Sequence, residues 1–172
     1  MTRLALLALA AAVALPAAAA IRPPSGVSAR LQPSPAEEPA FMLSASGVHI
    51  FECRAFADGY AWAFTAPDAT LYEGGRSVGT LSSVNLFESS SDRSSVSGVV
   101  RAVQPNGGNL PLALLRAIPT SEAGLFAGVT SVQRVNTAGG VAPAGGCGED
   151  NAGAEARVGF TADYYFYKRR AG

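Results

Sequence analysis

Histidine is nearly absent from this 172-residue chain: there is one, His49. There is also no Cys-x-x-Cys and no His-Glu-x-x-His, so no ordinary zinc site can be assembled from the sequence. Charge is scarce too. Charged residues make up 15% of the chain, below the usual quarter, and 13 Lys and Arg balance 13 Asp and Glu. A nucleic-acid binder needs a basic excess to neutralise phosphates, and so does an electrostatic membrane-surface protein. Neither class fits. No run after residue 20 approaches 18 apolar residues, so no membrane span is expected in the mature chain. No internal repeat is visible, and no Gly-x-Gly-x-x-Gly opens a helix after a strand, as a dinucleotide fold would require. What is plentiful is Gly, 19 residues, among short apolar runs, a mix that suits a β-rich protein with many turns.

Residues 1–20 read as a cleavable secretory signal. Arg3 gives a positive start, 4–15 is a twelve-residue apolar stretch, Pro16 breaks it, and small residues precede Ile21. Twelve apolar residues are too few to cross about 30 Å of hydrocarbon. The expected location is therefore secreted or periplasmic. Residues 21–40 hold five of the eleven prolines and no aromatic residue. That composition reads as a flexible, Pro-rich leader. All 14 aromatic residues lie between Phe41 and Tyr167, which sets a single domain at 41–169 and a short tail at 170–172.

Within the domain the apolar period is mostly two. Val158, Phe160, Ala162, Tyr164 and Phe166 make one face; Thr161, Asp163, Tyr165 and Tyr167 make the other. Tyr60, Trp62 and Phe64 alternate with Ala61 and Ala63 in the same way. Further strands are expected at 48–54, 77–81, 84–87, 96–103 and 129–137. The run 110–118 suits either a two-turn helix or a doubly buried strand; strand neighbours and the bracketing Pro111 and Pro119 favour the strand. Turns are expected at Asp58-Gly59, Gly74-Gly75, Pro105-Asn106-Gly107-Gly108 and Gly139-Gly140. The fold class is all-β: an antiparallel β-sandwich or small β-barrel with about eight short strands.

Two cysteines allow one connectivity, and export would place them where disulfides persist. Cys53 and Cys147 are expected to pair.

Three blocks together resemble the DUF3455 family of exported proteins of unknown function. The first is Gly47-Val48-His49-Ile50-Phe51-Glu52-Cys53. The second is Trp62 with Pro67, Ala69 and Leu71. The third runs from Val132-Gln133-Arg134-Val135-Asn136-Thr137-Ala138-Gly139-Gly140 through Cys147 to Ala162-Asp163-Tyr164-Tyr165-Phe166-Tyr167. The resemblance covers about 47–167. It departs from the family in the middle, where Leu81 stands at the family's His, Val84-Asn85 at its Gly-Pro and Phe87 at its Trp. If the family's His has a chemical role, this chain is expected to lack it or to fill it differently.

The residues assign no catalytic group, no metal and no cofactor. His49 lies in an apolar strand beside Phe51 and Cys53, which suits a packed histidine. Glu88 and Asp92 flank a Ser-rich stretch and read as solvated, although a carboxylate pair is what a glycoside hydrolase needs. Glu149 and Asp150 lack the spacing of a calcium loop. The best ligand-binding candidates are Arg134, Asn136, Thr137, Asp163 and Tyr165, with Gln133 and Tyr167 nearby. Arg134 and Asp163 are expected to pair across neighbouring strands. The functional expectation is a non-catalytic module that binds an envelope, wall or extracellular component. The alternatives are a carboxylate-dependent hydrolase and a structural or stress-associated secreted protein.

Overall fold

The computed structural model describes residues 21–171, so the expected signal at 1–20 lies outside the described residues. The chain forms eight antiparallel strands: β1 (Glu37–Phe56), β2 (Gly59–Glu73), β3 (Arg76–Ser82), β4 (Leu86–Ser89), β5 (Ser95–Asn106), β6 (Asn109–Pro119), β7 (Val129–Gly139) and β8 (Glu155–Arg169). Each strand pairs with the next, and β8 pairs back onto β1, so one sheet closes into a barrel. Of the two architectures open to the sequence, the barrel is the one formed. The ambiguous run 110–118 is strand β6. The strand expected at 84–87 starts two residues later: Ser83 and Asn85 have positive φ and turn the chain before β4 begins.

Two of the connections are two-residue hairpins whose geometry demands glycine. Glu73 pairs with Arg76 across Gly74-Gly75, and Asn106 pairs with Asn109 across Gly107-Gly108. All four glycines have positive φ, the conformation that matches the right-handed twist of the flanking strands. Prolines sit where a sheet tolerates them: Pro105 falls at an irregularity in the β5–β6 register, and Pro119 ends β6.

Alternation decides what fills the barrel. Along β1, Phe41, Leu43, Ala45, His49, Phe51 and Cys53 point inward. Along β8 the inward set is Phe160, Ala162, Tyr164 and Phe166, as the period of two predicts. One end is packed with aromatic rings: Phe41 stacks on Phe166 at 4.6 Å, and Phe87 and Phe126 close around Phe166 at 5.2 and 5.3 Å. Phe126 comes from the β6–β7 connection and plugs that end. It is held by Ser94, whose hydroxyl accepts the Phe126 N–H at 3.1 Å, and by Asp92, whose carboxylate accepts the Leu125 N–H at 2.8 Å.

The segment before β1 differs from its composition-based reading. Strand β1 begins at Glu37, inside the stretch assigned to a flexible leader, and Ala29–Leu31 forms a single 3-10 turn. Leu31 is fully buried. The segment lies against the outer face of β7 and β8, where Ile21 and Val27 pack on Val135, Tyr165 and Tyr167. Outward-facing apolar side chains on those two strands supply the surface that the segment itself lacks, and proline lowers the entropy lost in ordering it.

Cys53 of β1 and Cys147 of the β7–β8 loop form a disulfide. Two backbone hydrogen bonds reinforce it: Cys53 donates to the Ala154 carbonyl at 2.9 Å and accepts from Gly153 at 2.8 Å. Among the described residues, no helix is long and apolar enough to cross a membrane.

Candidate ligand site at the open end of the barrel

The end opposite the aromatic plug is not filled. Strand β2 pairs with β3 only from Ala69 onward, so the earlier part of β2 has β1 alone as a neighbour and the barrel gapes there. The gap opens a cavity of about 410 Å³. Its walls are largely apolar: Phe51, Phe64, Leu81, Val84, Val100, Leu110 and Val141. Several of these stay exposed at the mouth, Val84 at 64% and Val100 at 47%. Its polar side chains are few: His49, Asn85, Arg134 and Tyr164.

His49 sits inward on β1, opposite Pro67 of β2 and Val158 of β8. Its ring packs between Phe160 at 4.4 Å and Phe64 at 4.8 Å. Nδ1 lies 2.9 Å from the Gly140 carbonyl, which can only accept, so Nδ1 carries the proton and Nε2 keeps a lone pair. Burial pushes its pKa down to about 4; the Gly140 contact opposes that shift and the nearby Arg134 cation adds to it. The imidazole is therefore neutral at pH 7. Gly140 has φ +77°, and a Cβ there would stand 2.8 Å from the Phe160 Cβ, so glycine is what lets the carbonyl reach the ring.

Arg134 lies on β7 between Ala113 of β6 and Tyr164 of β8. Only 8% of it is exposed. Its Nε donates to the Pro111 carbonyl at 3.0 Å. No ion pair among the described residues includes it, and no carboxylate lines the cavity. Tyr164 is almost fully buried; burial raises its hydroxyl pKa, against the opposing pull of the Arg134 guanidinium.

The five candidate residues from the sequence are split between two faces. Arg134 faces inward. Asp163 faces outward and accepts a hydrogen bond from Asn136 Nδ2 at 2.8 Å. The expected Arg134–Asp163 pair does not form, because Arg134 stands opposite Tyr164 and Val135 opposite Asp163. A one-residue offset in a sheet moves a side chain to the other face. Asn136 has φ +49° at the irregularity between Val135 and Ala138. Thr137 donates to the Leu110 carbonyl and accepts from Asn106 Nδ2 at 2.9 Å, so it fixes that irregularity to β6. Tyr165 is covered on the outside by the segment before β1.

Of the other residues weighed, Glu88 pairs with Arg93 at 3.0 Å, and Asp92 holds the loop carrying Phe126. No group of three or more His, Cys, Asp or Glu that could hold a metal ion occurs among the described residues. A second hollow, an open groove of about 590 Å³ on the outer surface, is lined in part by Arg30, Arg101, Arg116 and Arg169, all exposed. Those guanidiniums are already solvated, so the groove lacks the buried unpaired charge found inside the barrel.

The family model described as a protein of unknown function (DUF3455) matches residues 82–168, from the end of β3 to the end of β8. The chain belongs to DUF3455. The matched stretch supplies Val84, Asn85, Val100, Leu110, Arg134, Gly140 and Tyr164 of the cavity, whereas His49 and Phe64 precede it. No curated protein and no solved structure matches the chain. Of the positions expected from the sequence to depart from the family pattern, Leu81, Val84 and Asn85 line the cavity and Phe87 is buried in the core. Sequence reasoning misses Phe64, Val84, Val100 and Val141 as wall residues because an apolar wall and an apolar core have the same pattern. Their exposure, visible only in the fold, is the distinguishing signal.

Proposed function

We propose that this DUF3455 member is an exported, non-catalytic binding protein that holds a small, mainly apolar molecule from the envelope or its surroundings in the open end of its barrel. The observation that carries this reading is the cavity itself: apolar walls that remain exposed at the rim, converging on a few buried polar groups. Exposed apolar side chains gathered around one opening favour an occupant. The lining favours binding over catalysis. It contains no Ser, Cys, Asp or Glu to attack or to take a proton, and burial lowers the His49 pKa to about 4, which leaves its free Nε2 a weak base. The Cys53–Cys147 disulfide supports a location in an oxidising compartment.

The test is displacement of an environment-sensitive apolar dye from the purified protein by a panel of envelope lipids and wall fragments. Dye should bind the native protein at about one site. Val84→Arg at the exposed rim should weaken it at least ten-fold without lowering Tm. Native protein that binds neither dye nor any panel member would overturn the reading. Export is tested separately, by finding Ile21 at the N-terminus of material recovered outside the cytoplasm.

A further inference from the structure

We propose that the occupant of the barrel is a singly charged carboxylate amphiphile, with its head paired to the Arg134 guanidinium and its apolar body against Phe51, Phe64 and Val141. This rests on the barrel mouth being a binding site and specifies what that site selects.

A guanidinium taken out of water without a counter-charge is unfavourable, and folded proteins usually pair such groups. Arg134 is more than nine-tenths buried, yet its partners are neutral: the Pro111 carbonyl, which accepts from Nε, and the Tyr164 hydroxyl. The guanidinium has five N–H donors, arranged to match a carboxylate in a fork. Elsewhere among the described residues, Arg54, Arg76, Arg93 and Arg157 have carboxylate partners even though they sit on the surface. The arginine with the most to gain from an anion thus has none from its own chain. Asp163, one position out of register on β8, points to the opposite face and bonds to Asn136.

The other polar groups fix the charge of the ligand head. His49 is neutral and Tyr164 is protonated, so the cavity offers one positive charge. One anionic head neutralises it. An amine would meet repulsion, and an uncharged alcohol would leave the guanidinium unpaired. At about 410 Å³ the cavity lies within the roughly 300–1,000 Å³ of small-molecule pockets, and its walls call for hydrocarbon.

Binding of decanoate, 1-decanol and decylamine, one carbon skeleton with three head groups, separates charge selection from apolar binding. The measurement is calorimetry on the full protein, below micellar concentrations at pH 7. Decanoate should bind at least about ten-fold more tightly than decanol, as expected when a charge-assisted hydrogen bond replaces a neutral one. Decylamine should bind worst. Arg134→Gln should bring decanoate down to the level of decanol, and Arg134→Lys should restore part of the preference. Should Arg134→Gln fail to fold, the order of the three ligands on the native protein decides by itself. Equal binding of decanoate and decanol would overturn the charge inference and leave the apolar site standing. A preference for decylamine would also overturn it. No binding of any of the three would overturn both the inference and the reading beneath it.

Discussion

Gln133 Nε2 donates to the Leu31 carbonyl at 2.8 Å, joining β7 to a segment 102 residues earlier in the chain. The Gln133 Oε1 in turn accepts the Tyr167 hydroxyl at 2.9 Å. A buried amide on the outside of a barrel is thus satisfied on both sides, once by the sheet and once by the segment that covers it. Leu31→Ala should cost about 2–4 kcal/mol, the usual range for emptying a buried leucine site. Urea unfolding of the variant against the native protein measures it. A loss below about 0.5 kcal/mol would mean that the covering segment contributes nothing to the barrel.

Reduction of the Cys53–Cys147 disulfide should destabilise the protein by roughly 4–5 kcal/mol on the chain-entropy argument, given its sequence separation of 94 residues. Chemical unfolding with and without a reductant gives the difference. The Cys53→Ser/Cys147→Ser double variant should match the reduced native protein.

Stability should fall as the pH drops from about 6.5 toward about 4, in part because of His49. The folded state holds this imidazole neutral down to about 4, whereas the unfolded chain takes up a proton near 6.5. Above 6.5 neither state is protonated, and the His49 contribution is intact. Below 6.5 the unfolded state binds the extra proton and is favoured, until the folded state also titrates. His49→Asn should flatten the pH dependence in that window. Denaturation midpoints at half-unit steps for both proteins test this, and equal slopes would contradict the buried neutral imidazole.

Asp92→Ala should loosen the plugged end of the barrel. The Asp92 carboxylate accepts from the Ser94 N–H, the Ser94 hydroxyl and the Leu125 N–H, which together hold its pKa well below the usual carboxylate range. Removing it frees the connection that seats Phe126. The expected result is a lower Tm and a weaker near-ultraviolet aromatic circular dichroism signal, with ligand binding at the other end retained.

The inward and outward faces of β8 are readable from sequence because the period of two survives every detail of packing. The same alternation along β1 places His49, Phe51 and Cys53 on one face, and they do point inward together. What alternation does not encode is register. Whether Asp163 or Tyr164 stands opposite Arg134 depends on how two strands slide, and a shift of one residue separates an ion pair from a buried unpaired cation. Barrel closure is hidden for a related reason: it rests on pairing between the first strand and the last, which no local pattern reports. The covering segment is hidden because composition averages over twenty residues, whereas a few spaced side chains, Ile21, Val27 and Leu31, hold it to the barrel. The disulfide and the two diglycine hairpins are readable because each depends on residue type at a fixed place.

The β1–β8 seam extends from Glu37 opposite Arg169 to Glu52 opposite Glu155, so it ties the start of the domain to its end. During synthesis one edge of β1 has no partner until the last strand has left the ribosome. Folding must then pay the entropy of closing nearly the whole chain into a ring, and topologies dominated by such distant contacts fold in milliseconds to seconds rather than microseconds. A barrel that cannot close before the chain is complete keeps one edge of its first strand open until then, whichever local hairpins have already formed.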